Sequence, residues 1–138
     1  MTMQEIIIKI KDYAGDNNRD KKTMQEIIIK KSRFIGYAAR INSEDDANTY
    51  IDQVTRVHRK ARHVTYAYVV NDTAKTSDAG EPRGTAGLPI YNVITRNGAQ
   101  NVAVVVVRYF GGILLGKGGL IRAYGKAARL ALDEIIKE

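Results

Sequence analysis

Arg108, Lys117 and Arg122 stand around a loop that carries Gly111, Gly112, Gly116, Gly118 and Gly119. An apolar run, Val102–Val107, leads into that loop and a helical pattern follows it. Successive backbone N–H groups in a glycine loop that feeds a helix N-terminus suit an anion. Tyr109, next to Arg108 at the strand end, belongs to the same set. The segment from Gly111 to Lys117 also fits the phosphate-cradling pattern G-x-x-x-x-G-K between a strand and a helix. It departs at the next position. Gly118 stands where a Ser or Thr hydroxyl would hold magnesium, and no later strand offers an acidic partner for the metal. Nucleotide hydrolysis is therefore disfavoured, while simple anion binding by the same amides survives. The alternative is that the glycines only permit tight turns and close backbone packing.

A second constellation is Asp78-Ala-Gly-Glu-Pro-Arg-Gly-Thr-Ala-Gly87. Asp78 and Glu81 could coordinate a cation or act as an acid–base pair. Gly80, Pro82 and Gly84 equally suit a structured turn, in which Glu81 and Thr85 satisfy backbone donors and cap the next helix. The turn is the preferred reading for the carboxylates, and Arg83 is assigned to binding. His58 and His63 are the only histidines, fall in no metal-ligand spacing and are tied to no nucleophile. No catalytic residue, metal or cofactor is expected. Tyr66 and Tyr68 share one face of a strand, either stacking on bases or packing under a helix.

Charge points the same way as the loop. The 138 residues carry a formal net charge of +7, which favours RNA, ribosomal or other anionic partners but does not fix the fold. Arg56, Arg59, Lys60 and Arg62 lie between Thr55 and His63 with no acid among them, forming an auxiliary basic patch. The chain contains no cysteine, so disulfides and thiolate metal sites are excluded, and a reducing compartment fits. No apolar stretch approaches the ~18 residues of a membrane span. A cytoplasmic protein is expected, with no membrane partner and no evident DNA specificity.

The elements that must position these residues follow from periodicity. The octapeptide TMQEIIIK occurs twice, at Thr2–Lys9 and Thr23–Lys30. Residues 1–22 are taken as a leader or duplicated polar segment, and 23–138 as one domain. Alternatively both copies are strands, competing for one slot in a sheet. Strands are predicted over Glu26–Lys31 and Arg33–Ile41, then a helix from the Ser43 cap to near Ala61. A strand at Arg62–Asn71, a loop over Asn71–Gly87 and a short helix from Pro89 through Ile94 come next. Val102–Val107 is continuously apolar, hence buried on both faces or central in its sheet. The last helix puts Leu120, Tyr124, Ala127, Ala131 and Ile135 on its core side. The order β-β-α-β-α-β-α predicts an α+β two-layer sandwich with helices over one face of a four-stranded sheet.

Taken together these segments resemble the IMPACT family, in its N-terminal domain, over roughly Glu26 to Leu132. Lys31-Ser-Arg-Phe-Ile-Gly36 is similar to the family's opening strand, and Ala61-Arg-His63 with Tyr66-Ala-Tyr68 to its central strand. Asp78, Gly80-Glu-Pro82 and Gly84-Thr-Ala-Gly87 match its signature loop. Arg108-Tyr-Phe-Gly-Gly-Ile113, Leu115-Gly116, Gly118-Gly-Leu120 and Arg122-Ala-Tyr124 match its closing motif. Ala79, Arg83, Leu114 and Lys117 depart from the common pattern, as do Val64 and Thr65, so a cation has shifted within the loop. The resemblance implies a fold like domain IV of elongation factor G, with a left-handed βαβ crossover, and a second family domain absent here. It also implies a link to translation, where eukaryotic relatives act on a stress-responsive kinase through a partner protein. The expectation is a non-enzymatic module that binds RNA or a ribosomal surface. The alternatives are a protein-interaction regulator of translation or stress signalling, and an enzyme or binder for a small phosphorylated ligand using Asp78 and Glu81.

Overall fold

The computed structural model describes residues 22–136. Apart from Lys22, the segment taken as a leader, with the first octapeptide copy, lies outside the described residues. The second copy forms most of the edge strand β1, Lys22–Ile29, which pairs antiparallel with β2, Ser32–Arg40. Helix α1, Glu44–Val57, follows, then β3, His63–Val70, and β4, Thr73–Ser77. Helix α2 spans Gly87–Arg96, β5 Val102–Tyr109 and the terminal helix α3 Gly116–Ile136.

Local chemistry sets these boundaries. Ser43 Oγ accepts from the Asp46 N–H at 3.1 Å, while the Asp46 carboxylate accepts from the Asn42 N–H at 2.9 Å. This reciprocal cap, with Glu44, Asp45 and Asp46 in the first turn, favours the positive end of the α1 dipole.

The five strands run in the order β1-β2-β5-β3-β4, every adjacent pair antiparallel. Two predicted features need correction. The sheet has five strands because β4 lies within the stretch expected as loop. Its sequence, Thr-Ala-Lys-Thr-Ser, is a largely exposed edge strand with no buried apolar face to reveal it. Helices also cover both faces, making three layers. Val102, Val104 and Val106 meet the α2 and α3 side with Ile90, Tyr124 and Leu132. Ala103, Val105 and Val107 meet the α1 side with Tyr50 and Val54. The unbroken valine run exists because neither face of β5 sees water.

This topology contains two interleaved crossovers. Strand β2 runs parallel to β3 with β5 between them, joined over one face by α1. Strand β4 likewise runs parallel to β5 with β3 between them, joined over the opposite face by α2. The second connection runs in the reverse direction across the sheet, starts from strands of reverse polarity and uses the other face. A half-turn about the sheet normal cancels the first two reversals and leaves the third. The two crossovers therefore have opposite hands, and one departs from the usual right-handed rule.

Helix α3 lies directly on the sheet because Gly36 has no side chain. A Cβ there would stand 2.4 Å from the Ala127 carbonyl oxygen. Replacing Gly36 with Ala forces α3 away from β2, at a cost of roughly 1–3 kcal/mol. Thermal unfolding should show a Tm several degrees below that of the parent.

Candidate functional site

The antiparallel register gathers four connections at one end of the sheet. Ile29 faces Ser32, Arg33 faces Tyr109, His63 faces Arg108, and Ser77 faces Tyr66. The β1–β2 turn, the α1–β3 link, the β4–α2 loop and the β5–α3 loop therefore share this end. Lys30, Lys31, Arg59, Lys60, Arg62, Arg83 and Lys117 are exposed on it or at its rim. The two carboxylates of the signature loop, Asp78 and Glu81, are both held by hydrogen bonds within the protein.

Glu81 is buried and accepts two hydrogen bonds from Arg108 Nη1, at 3.1 and 2.9 Å. The Tyr124 hydroxyl donates to the same carboxylate, and His63 Nε2 lies 3.4 Å from it. Arg108 also reaches Ser32 Oγ at 3.3 Å, and its guanidinium lies over the rings of Phe34 and Phe110. Burial, then the hydrogen bond to Glu81, pushes the Tyr124 hydroxyl far above its ordinary value, so it stays a donor. The phosphate-contact role predicted for Arg108 is thus corrected: at 5% exposure its charge is spent inside the protein. An arginine at a strand end beside a glycine loop has the same sequence signature whether it points outward or inward.

Asp78 performs the capping predicted for Glu81 and Thr85. Its carboxylate accepts from the amides of Gly84 at 3.0 Å, Ala86 at 3.2 Å and Gly87 at 2.9 Å. Burial raises the Asp78 pKa, but those hydrogen bonds and the nearby Arg83 charge outweigh it and hold the carboxyl below its ordinary value. Thr85 Oγ1 donates instead to the Pro82 carbonyl, closing the turn. Gly80 and Gly84 take positive φ, and the Ala79 carbonyl accepts from His63 Nδ1 at 2.7 Å. Arg83 and Pro82 are left exposed at the loop surface.

The glycine loop divides into two functions. Gly111 is there for packing: its N–H donates to Ser32 Oγ, and a Cβ would strike the Lys31 backbone at 2.1 Å. Gly112 and Gly116 hold positive φ with open space around them. Gly116, Lys117, Gly118 and Gly119 form the first turn of α3, and the Arg122 guanidinium lies against Gly118. Phe110, Ile113 and Leu114 project from the same loop, Leu114 at 82% exposure. In the auxiliary patch, Arg62 lies over Phe110, whereas Arg56 sits one turn back on α1, 4.0 Å from Asp52.

Tyr109 is not a free aromatic. His58 bridges it to Tyr37, with Nδ1 2.6 Å from the Tyr109 hydroxyl and Nε2 2.5 Å from the Tyr37 hydroxyl. Burial, with Arg33 nearby, lowers the His58 pKa to about 4. Tyr68 is buried on the α1 side with Tyr66 stacked beside it, and the Tyr68 hydroxyl donates to Glu44 at 2.7 Å. These two rings follow the core alternative. Sequence spacing gave no means of finding Ser32 or the histidine bridges, whose partners lie up to 79 positions apart.

Residues 30–132 match the sequence profile of the Impact N-terminal domain. The chain belongs to the IMPACT family. It is 44% identical over 113 residues to the IMPACT family member YvyE of Bacillus subtilis, covering 80% of this chain and 52% of that protein. It is 42% identical over 112 residues to YigZ of Escherichia coli, covering 78% and 55%. The chain thus spans about half the length of the relatives it matches. A crystal structure of a hypothetical protein aligns at TM-score 0.79 and 39% identity, over 82% of this chain and 57% of that one. The two-domain translational regulator Yih1 aligns at TM-score 0.53 and 26% identity, over 87% and 51%. The IMPACT motifs are therefore largely the structural clasp: Glu81 and Arg108 come from the signature loop and closing motif and meet in the interior.

Two predictions follow from this geometry. Arg108→Met leaves the Glu81 carboxylate buried without its main partner and should cost roughly 3–5 kcal/mol. Adding Glu81→Gln should restore part of that loss in denaturant unfolding. For His58, the folded pKa lies below the unfolded value, so the unfolded chain takes up the proton first. Stability contributed by neutral His58 is present above pH ~6.5 and falls as pH drops toward about 4. Equilibrium unfolding across that window should show a shallower slope in His58→Gln.

Proposed function

We propose that this IMPACT domain is a non-catalytic, translation-associated module that binds RNA or a ribosomal surface through its basic loop end. The supporting observation is the gathering of Lys30, Lys31, Arg59, Lys60, Arg62, Arg83 and Lys117 around an end whose carboxylates, Asp78 and Glu81, are occupied by internal hydrogen bonds. Phosphates would meet these cations together with amides of the Gly112–Gly119 segment, which opens α3 with its positive dipole end. The resemblance to Yih1, described as a translational regulator, supplies the biological setting. The geometry adds no support for acid–base chemistry by Asp78 and Glu81, since both carboxylates are engaged in hydrogen bonds within the protein.

A second reading, a protein-interaction regulator, is favoured by one feature. Phe110, Ile113 and Leu114 expose apolar surface in the middle of the basic end. An acidic partner with an apolar anchor would complement both properties.

The RNA reading predicts a salt-dependent affinity, with a log–log slope of about −0.7 per phosphate neutralised on a single strand. The Arg62→Ala, Arg83→Ala, Lys117→Ala triple variant should bind more weakly and reduce the slope by about 2. A salt-insensitive affinity, or an unchanged triple variant, would contradict it in a fluorescence anisotropy titration.

A further inference from the structure

Gly125 sits in the middle of α3, where glycine is the least favourable residue except proline. Such a glycine usually marks close packing or a positive φ. Neither applies. A Cβ added at Gly125 would meet nothing within 4 Å, and its φ is not in the left-handed region. The open space belongs to a groove of about 500 Å³ between α2 and α3.

The walls of that groove are basic. Arg122, Lys126 and Arg129 line it from α3 and Arg96 from α2, with no acidic residue among the lining. The α3 cations lie at i, i+4 and i+7, on one stripe of the helix. Among the described residues none of these four cations makes an ion pair. Like charges at this spacing repel and weaken an isolated helix. The helix thus carries two locally unfavourable features, an unpacked glycine and an unpaired cationic row, facing the same groove. A polyanion would neutralise the cationic row, and the bare Gly125 would let its backbone pass close to the helix.

We infer that the α2–α3 groove is a binding track for the phosphodiester backbone of single-stranded RNA, with Gly125 left bare so that the strand can approach the helix. This rests on the RNA reading above and extends it along α3, since Arg122 joins the loop end to the groove. The lining contains no aromatic side chain, so recognition is by backbone charge and not by base stacking. Ile121 and Val93 offer apolar contact to a ribose or base face. The Asn92 amide lines the groove with no hydrogen-bond partner among the described residues, and it suits a 2′-hydroxyl.

The test separates helix stability from binding. Gly125→Ala should raise Tm by about 3 °C through helix propensity alone. Gly125→Met should also fold, since its side chain enters open space, but it fills the track. Its affinity for a labelled oligouridylate should fall by at least about tenfold. Lys126→Ala with Arg129→Ala should keep the fold and reduce the magnitude of the salt slope by about 1.4. A Gly125→Met protein that binds oligouridylate with parental affinity and slope overturns the track. If the loop-end triple variant loses binding in that same experiment, the loop-end RNA reading stands without the groove. If the parent protein fails to bind oligouridylate at low salt, both fall. A duplex RNA that binds equally tightly and is equally sensitive to Gly125→Met overturns the single-strand assignment.

Discussion

The buried pairing of Glu81 with Arg108 is the interaction on which the rest of this domain depends. It joins the signature loop to the end of the central strand, and through Tyr124 it ties both to α3. Ser32 extends the clasp to the start of β2 and to the Gly111 amide. Four connections that are remote in sequence are thus fixed at one end. A buried ion pair is a weak source of net stability but a strong constraint on geometry once formed, because either partner alone is costly to bury. The clasp also decides the electrostatics outside. The fold holds Glu81 and Asp78 in internal hydrogen bonds, while the lysines and arginines of that end stay exposed.

Much of the fold was legible because burial leaves periodic traces. The Ser43 cap, the helical spacing of Ala47, Tyr50 and Val54, and the valine run at β5 all predicted elements that the structure contains. The valine run even carried the information that both faces are covered. It was outweighed by the element order, which suggested a single helical layer. Strand β4 left no trace, since a polar edge strand is specified by its partner's backbone and not by its own side chains.

The site was legible in a different sense. Spacing marks residues that the fold gathers at one end of the sheet, but not the direction in which each side chain points. Arg108 and Arg83 are both arginines in or near glycine-bearing loops, yet one is buried and the other exposed. Direction is set by the partner that each side chain meets across the fold, and Glu81 lies 27 positions from Arg108. The same holds for Tyr109, whose hydroxyl is engaged by His58 from 51 positions away. The α2–α3 groove required both the helix packing and the empty space at Gly125, which no spacing rule reports.

The clasp points the charges of Glu81 and Arg108 inward and leaves the loop-end cations facing outward, where we propose that they meet phosphates. Titrating a single-stranded oligouridylate into isotope-labelled protein, followed by nuclear magnetic resonance, tests it directly. Binding at that end should shift the Gly112–Gly119 amides, resonances around Arg62 and Arg83, and the groove face of α3, while the Arg108 side-chain Nε–H resonance holds its position. Shifts confined to the outer face of α1, or a displaced Arg108 guanidinium with the loop amides unmoved, would contradict it.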